Sequence, residues 1–378
     1  MNIKRTTLPI KVFLFSILSS LVIQVLFLGT HWSAFRIWEI EFNSEIVYVY
    51  IFAMFFLALG NFVYAHLFRL DAERNKIPPI DQSKLIKLIK LTSILLVIFL
   101  IITQLSLGHA WLYNLWTGVV RAPDLEDAIR KSIFGVHSFL LIITFTSLIL
   151  WMAYFRLGLK INRWLFFMLL MALLSSISQG KIQFLFYFFI TYLLQQNESK
   201  VIRKTIISGI LILIIFFITR LLRNQGVGLS PNLDTFLLFV VGLYLGSPFV
   251  NTTYILENQA GTIDLIIEFF KHMLPSRFYA ETNIHSNFID ITSPAGFLGN
   301  GLLLGSSFGV YLYCFLVGIF ISHLAVKSLD SLTFYLFYPI LITSCVLVFL
   351  YDHFTNLAFF YIPMIICYLV SKYIALKN

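Results

Sequence analysis

Charge-free apolar runs constrain what this chain can fold into more tightly than any other feature of its sequence. Residues 91–107 and 133–155 contain no Asp, Glu, Lys or Arg. A helix that crosses a hydrocarbon core of about 30 Å needs about 20 residues, so runs of this length predict membrane spans. Segments of alternating polarity, which would indicate a transmembrane β-barrel, do not appear in the sequence. The sequence therefore predicts an all-α, polytopic membrane helix bundle in which residues 1–378 form a single membrane domain.

Composition argues against a soluble enzyme. Hydrophobic residues make up 59% of the chain and charged residues 12%, whereas about a quarter of the residues in a soluble domain are charged. The three cysteines, Cys314, Cys345 and Cys367, stand inside apolar runs, which predicts buried thiols rather than a disulfide framework or a metal site. We therefore expect neither a metal ion nor a cofactor.

About ten transmembrane helices are predicted. The first apolar run is too long for the core of a signal peptide, so we interpret it as a retained span. Two segments, 164–178 and 182–194, are shorter than an ordinary crossing requires. The predicted spans are 8–28, 46–68, 88–108, 133–155, 164–178, 182–194, 205–219, 302–325, 332–350 and 357–373.

Basic residues divide unequally between the two sides that this order of spans creates. The net charge is +9, and 18 of the 27 Lys and Arg fall on the side of the N-terminus. The positive-inside rule assigns that side, with both termini, to the cytoplasm. Lys84, Lys87 and Lys90 stand at helical spacing and are expected to lie along anionic headgroups as an anchor. The charge therefore predicts topology, with the lipid bilayer as partner and no nucleic acid.

The region 220–301 is predicted to form a large outer, periplasmic loop region. Within it, Thr235–Leu256 is free of charge but is broken by Gly242, Gly246 and Pro248. A re-entrant or outer-leaflet hairpin fits this pattern, since broken backbone at membrane depth must be covered by protein or by a wet cavity. A full crossing is the alternative and would invert every later span. Thr262–Leu274 is amphipathic and predicts a helix on the outer interface.

Two groups of cations are candidate binding residues. Lys181 stands at the junction of the two short spans, where a lone ammonium is costly and where interrupted segments often form binding sites. Snorkelling to the headgroups is the alternative for this lysine. Arg220 and Arg223 share a helix face at the outer end of the span 205–219, which suits a diphosphate. Anchoring of the helix end is the alternative for that pair.

The polar stretch after the amphipathic segment supplies candidate acids and bases. A histidine or a carboxylate there is able to accept a proton from a hydroxyl, although a solvated loop is the default for each residue taken alone. No phosphate loop, His-Glu-x-x-His string or Asp-x-Asp pair occurs, which argues against ATP-driven pumping, zinc proteolysis and nucleotide-sugar chemistry. The candidates are His272, Arg277, Glu281, His285 and Asp290.

Several strings resemble those of the O-antigen, or oligosaccharide repeat-unit, polymerases. They are the short-span junction Ser178–Lys181, the exit Arg220–Arg223, the aromatic and glycine run Gly242–Gly246, and Ser293–Gly299 followed by a glycine-spaced helix. The resemblance is most visible from Trp164 to Ile319. Many relatives carry Arg at the junction where this chain has Lys181, which keeps the charge but removes the bidentate fork.

The resemblance implies transfer of a growing glycan from undecaprenyl diphosphate onto a new lipid-linked repeat at the periplasmic face of a bacterial inner membrane. It implies no cofactor, and a flippase and a chain-length regulator as further partners. Family members place essential arginines in their outer loops, and the cations would neutralise the diphosphate while His285, or otherwise Asp290 or Glu281, accepts the proton. The predicted substrate-binding residues are Lys181, Arg220, Arg223 and Arg277.

Other functions share this layout. An O-antigen ligase uses the same donor with a different acceptor, and a transporter or flippase of lipid-linked glycans would also need cations on its substrate path. Many secondary transporters contain internal repeats, and none relates the two halves of this chain. A non-catalytic scaffold would not need the long polar outer region.

Overall fold

The computed structural model describes most of the apolar segments of the chain. Its described residues are mostly helical, and no strand occurs among them beyond one isolated bridge. The described residues are 2–31, 33, 41–67, 77–107, 136–178, 183–195, 233–237, 246–258, 296–303, 306–348, 354 and 356–376. The helices are α1 (Asn2–Phe27), α2 (Glu45–Leu67), α3 (Gln82–Leu107), α4 (Val136–Arg156), α5 (Arg163–Ser178), α6 (Gln183–Leu193), α7 (Leu233–Leu237), α8 (Ser247–Asn258), α9 (Gly296–Leu303), α10 (Ser306–Lys327), α11 (Leu332–Val346), a π-helical turn (Leu357–Tyr361) and α12 (Ile362–Ile374).

Within the described residues, six helical segments are long and apolar enough to cross a membrane. They are α1, α2, α3, α4, α10 and the continuous segment Leu357–Ile374. Three further predicted spans coincide with shorter apolar helices: α5, α6 and α11. The predicted span 205–219 and the amphipathic segment 262–274 lie outside the described residues. A helical membrane protein is therefore confirmed, while the number of ten crossings stays a prediction.

The chain divides into two compact units, and each unit combines an early and a late part of the sequence. The first unit comprises Met1–Lys76 and Leu233–Ile362. The second comprises Ile77–Asn232 and Pro363–Asn378.

The first unit is built on a close crossing of α2 and α10. A Cβ atom placed on Gly60 would overlap the carbonyl oxygen of Phe315, and one placed on Gly318 would overlap the carbonyl oxygen of Leu57. Because neither glycine carries a side chain, the two backbones meet directly, as small residues allow in membrane helix pairs. Gly318 lies in the helix that the sequence predicts as glycine-spaced, whereas the role of Gly60 in the crossing was not predicted.

Polar side chains join the same two helices beyond the crossing. The Ser322 hydroxyl donates to Oδ1 of Asn61 at 2.8 Å, and the Tyr64 hydroxyl lies 3.2 Å from Nδ1 of His323. Contacts therefore advance along both helices together, which makes α2 and α10 parallel. Because they are parallel, both helices begin at the same end of the first unit.

The second unit is a set of helices that alternate in direction. The rings of Phe99 in α3 and Phe139 in α4 stack with centroids 5.6 Å apart. The hydroxyls of Thr144 in α4 and Ser175 in α5 lie 3.3 Å apart. The start of α3 is joined to the end of α12, where Ile80 and Ala375 form an antiparallel bridge. The early and late parts of this unit are therefore hydrogen-bonded to each other.

Candidate functional site

The site residues predicted from the sequence cannot be compared with the structure. All of them lie outside the described residues, as does the outer helix end that carries the arginine pair. They are Lys181, Arg220, Arg223, Arg277, Glu281, His285 and Asp290. Their roles stay predictions, and among the described residues the end of α5 and the start of α6 flank Lys181 in the sequence.

The two short helices of the second unit end well below their neighbours. Ser175 lies beside Thr144, which is eight residues into α4, and α5 ends three residues later at Ser178. With a rise of about 1.5 Å per residue, α5 stops about 7 Å short of the first residue of α4. At the start of α6, the ring of Phe184 lies 4.9 Å from that of Phe145, at the same level of α4. We call this low pair of helix ends the α5–α6 step.

Helix α3 rises further above the step than α4 does. The stacked pair Phe99 and Phe139 sets the relative level of the two helices. Helix α3 continues for eight residues beyond Phe99 to Leu107, so its end lies about 15 Å above Ser178 along the helix direction. The step is therefore bordered by longer helices, as the sequence predicted for an interrupted pair of short spans.

Hydroxyl groups lie on the packed side of the step. Ser175 and Ser176 are buried, and Tyr187 is fully buried against Phe145 with ring centroids 5.3 Å apart. The Ser176 hydroxyl donates to the carbonyl oxygen of Ala172, one turn earlier in α5, at 2.8 Å. This bond satisfies the Ser176 donor and leaves its oxygen lone pairs as polar groups that the step can offer.

A histidine–aspartate pair lies at the end of the first unit where α1 stops. Nε2 of His31 is 2.7 Å from Oδ1 of Asp234, and each side chain is 59% exposed. The pair joins the segment after α1 to the short helix α7, more than 200 residues later. A carboxylate that orients an imidazole is an arrangement suited to proton transfer, whereas as a surface ion pair it adds only about 0–1 kcal/mol to stability.

Helix α8 buries a polar string at the same end of the first unit. Asn251, Thr252 and Thr253 are all buried, and Thr252 hydrogen-bonds with Tyr50 near the start of α2. The Tyr50 ring also contacts that of Phe249, with centroids 4.6 Å apart. Helix α8 has 12 residues and begins directly after Gly246, one of the breaks noted in the sequence. A short buried helix is consistent with the predicted hairpin, although 238–245 lie outside the described residues.

Neither the His31–Asp234 pair nor the Tyr50–Thr252 bond was predicted. Both join residues about 200 positions apart, and no local spacing signals such a contact. The sequence did carry a weaker signal for the start of α8. Proline is favoured in the first turn of a helix and disfavoured in its interior, so Pro248 indicates a helix that begins close to Gly246. The described residues contain no group of three or more His, Cys, Asp or Glu able to hold a metal ion.

Comparison of the chain with protein-family models, with curated proteins and with solved structures gave no match.

Proposed function

We propose that this protein is a membrane glycosyltransferase that polymerises lipid-linked oligosaccharide repeat units. In this proposal the growing glycan is transferred from undecaprenyl diphosphate at the periplasmic face of a bacterial inner membrane. The α5–α6 step carries the proposal, because it lowers two helix ends below the surrounding helices at the point in the sequence where Lys181 stands. In this proposal Lys181 meets the diphosphate at this low junction, while the polyprenyl chain of the donor lies in the bilayer.

The parallel direction of α2 and α10 supports the predicted topology. Two parallel crossings require an odd number of crossings between them. Four crossings are supplied by α3, α4, α5 and α6. A single further crossing at 205–219 makes the number five, which satisfies the requirement. In that case Thr235–Leu256 does not cross, which favours the hairpin over a full span. Ten crossings with both termini in the cytoplasm follow from this proposal.

The distribution of charge supports the same orientation. In the described part of the second unit, every Lys and Arg lies where α3 starts, α4 ends, α5 starts or α12 ends. The positive-inside rule assigns that end to the cytoplasm. The α5–α6 step lies at the opposite end of the same helices, which is then periplasmic. Lipid-linked repeats are polymerised on that side in the family that the sequence resembles.

The proposed reaction forms one bond and breaks one bond. The acceptor hydroxyl oxygen attacks the anomeric carbon of the donor, and the bond from that carbon to the diphosphate oxygen breaks. Lys181 with Arg220, Arg223 and Arg277 would stabilise the charge that develops on the leaving diphosphate, as preorganised cations do best where water is scarce. The hydroxyl proton would pass to His285, or otherwise to Asp290 or Glu281. No step requires a metal ion.

Deletion of the gene tests the function, and the surface glycan separated on a gel provides the readout. A polymerase predicts a band of single repeats without a ladder. Polymer that accumulates on the lipid carrier and never reaches its final acceptor would instead identify a ligase. An unchanged ladder would contradict both functions.

Charge at the step can be tested separately. We expect Lys181→Ala to lose the ladder and Lys181→Arg to retain it, because only the first removes the positive charge. Lys11→Ala is the matched control, since Lys11 is an exposed lysine within a membrane helix of the first unit. A full ladder with Lys181→Ala, at wild-type protein levels in the membrane, would contradict the role of this lysine. Transfer by purified protein should also persist in EDTA.

A further inference from the structure

One end of the second unit concentrates positive charge. The described residues of this unit contain seven Lys and Arg but only one Asp or Glu, which is Asp81. All seven cations lie at the end defined by the start of α3, the end of α4, the start of α5 and the end of α12, which we call the basic end. They are Lys84, Lys87, Lys90, Arg156, Lys160, Arg163 and Lys372.

Contacts within the unit bring these segments together. The backbone N–H of Asp81 donates to the carbonyl of Ile374 at 2.7 Å, joining α3 to the end of α12. The Tyr154 hydroxyl donates to the carbonyl of Lys160 at 2.6 Å, which folds the segment after α4 back onto it. Nζ of Lys90 lies 5.7 Å from the ring centroid of Trp164, the second residue of α5. The cations therefore form one surface rather than scattered charges.

The single carboxylate among the described residues of this unit is already engaged. Oδ1 of Asp81 accepts from the backbone N–H of Lys84 at 3.1 Å and caps α3, while Oδ2 lies 3.5 Å from Nζ of Lys84. The bond from that backbone N–H lowers the pKa of Asp81, so the group stays ionised at neutral pH. Five further cations, which are Lys87, Lys90, Lys160, Arg163 and Lys372, have no carboxylate partner among the described residues of the unit. Such a like-charged surface attracts anions.

The cations reach different depths along α3. Lys84 and Lys90 are six residues apart, which is about 9 Å along the helix. The headgroup layer of one leaflet is only about 5–8 Å thick, so a stripe of this length extends from water to the level of the lipid phosphates. The Trp164 ring beside Lys90 also prefers this interface. The deeper cations therefore lie where a lipid headgroup, rather than a dissolved anion, is the available partner.

Exposed apolar side chains continue directly from the cations. Leu91 and Ile94 follow Lys90 along α3 and are 52% and 49% exposed. Phe166, three residues after Arg163 in α5, is 63% exposed. A ligand that contacts both parts of this surface needs an anionic head and acyl chains on the same molecule. Nucleic acids and soluble anions lack the second part.

We propose that the basic end of the second unit binds the headgroup phosphate of anionic phospholipids, with Lys90, Arg163 and Trp164 as the deepest contacts. This inference goes beyond the proposed glycosyl transfer and does not depend on it. It also goes beyond general anchoring, because it predicts selective retention of one lipid class by a defined set of side chains.

Lipid retention by the purified protein tests the proposal. Full-length protein is extracted in detergent, incubated with an equimolar mixture of phosphatidylglycerol and phosphatidylethanolamine, and the bound lipids are counted by native mass spectrometry. We expect wild-type protein to retain phosphatidylglycerol at least fivefold over phosphatidylethanolamine at low salt, about the effect of 1 kcal/mol of preference. The preference should fall severalfold in 0.5 M NaCl because the exposed charges are screened.

A matched pair of variants assigns the effect to this surface. Lys87→Gln, Lys90→Gln and Arg163→Gln combined should lower the preference to below twofold. Lys11→Gln combined with Lys327→Gln removes two cations from the first unit and should leave the preference at the wild-type value. If the triple variant does not reach the membrane, Arg163→Gln alone is measured and should lower the preference at least twofold.

Two results would overturn the proposal. One is equal retention of the two lipids by the wild-type protein, and the other is an equal loss of preference in the control variant. Because retention is counted on purified protein, neither result depends on whether the chain transfers glycans. The ladder assay on the same variants reports the proposed function separately.

Discussion

The crossing of α2 and α10 allows a quantitative prediction about a single methyl group. Alanine at Gly60 would place its Cβ on the carbonyl oxygen of Phe315 and 3.1 Å from the backbone nitrogen of Ile319. Both obstacles are backbone atoms, so no side-chain rotation relieves the overlap and the helices must separate. Alanine gains up to about 1 kcal/mol over glycine within a helix, but forced overpacking costs about 1–3 kcal/mol. With the full gain subtracted, the net loss is about 0–2 kcal/mol, and we expect Gly60→Ala to destabilise the protein by about 1 kcal/mol.

Gly318→Ala should behave in the same way, because its Cβ would overlap the carbonyl oxygen of Leu57. The two substitutions act on one crossing, so helices already separated by the first Cβ accept the second more easily. The double variant should then lose less stability than the sum of the two single variants, as expected for neighbouring sites. This shortfall distinguishes a shared crossing from two independent defects.

The measurement is the thermal unfolding midpoint of detergent-purified protein, followed by size-exclusion fluorescence. Gly29→Ala is the control, since a Cβ there meets nothing within 4 Å and the glycine lies outside the helices. We expect the control to match wild type, and each crossing variant to fall by several degrees. A Gly60→Ala midpoint at or above wild type would refute the close approach of the two helices.

Three further predictions concern single polar groups. Asp81→Ala should lower the unfolding midpoint at neutral pH, because folding lowers the pKa of Asp81. The difference from wild type should be constant above the ordinary pKa of 3.8 and should shrink as the pH falls through the lowered pKa of the folded protein. Midpoints measured from pH 7 to acid would show this. Asn356→Ala should cost about 1 kcal/mol in the same assay, because the Asn356 Oδ1 accepts from the backbone N–H groups of Ala358 and Phe359 at the π-helical turn. His31→Ala should change stability by about 1 kcal/mol or less, since its pair with Asp234 is exposed; a larger loss would show that the pair contributes more to stability than exposed ion pairs do.

The long helices are predictable from the sequence, because length and apolarity alone decide a membrane span. Helix α2 was predicted at 46–68 and occupies Glu45–Leu67, and α4 was predicted at 133–155 and occupies Val136–Arg156. Helix α3 begins at Gln82, six residues before the predicted span, because its basic stripe is part of the same helix. The short pair α5 and α6 was also predicted, since a deficit in length is visible in the sequence.

The π-helical turn at Leu357–Tyr361 was not predicted, because its local composition is that of an ordinary span. Asn356 caps this turn, and Phe360 packs at its centre against Phe337 and Phe354, with centroids 5.0 and 5.2 Å away. A π turn holds one more residue than an α turn, and apolar periodicity is too coarse to reveal a single added residue. The contact of Phe360 with Phe337 joins residues far apart in the sequence, so apolar spacing does not reveal it.

The candidate site was the least predictable part, since it depends on contacts between distant segments. Residue type indicated the chemistry of single positions such as Lys181. No local pattern in the sequence indicates which distant segments contact each other. His31 and Asp234 show the difficulty, because each alone is an ordinary polar residue beside a span. Their 2.7 Å separation appears only once the chain has folded.

The division of each unit between early and late segments affects how the chain is made. Gly60 leaves the ribosome more than 250 residues before Phe315, whose backbone it packs against. At about 5–20 residues per second, α2 waits roughly 13–50 s in the bilayer for its partner. During that interval Asn61 and Tyr64 face lipid or a temporary neighbour rather than Ser322 and His323. The polar side of α2 is therefore exposed while the rest of the protein is inserted. A factor that shields membrane helices during synthesis would act on this side of α2.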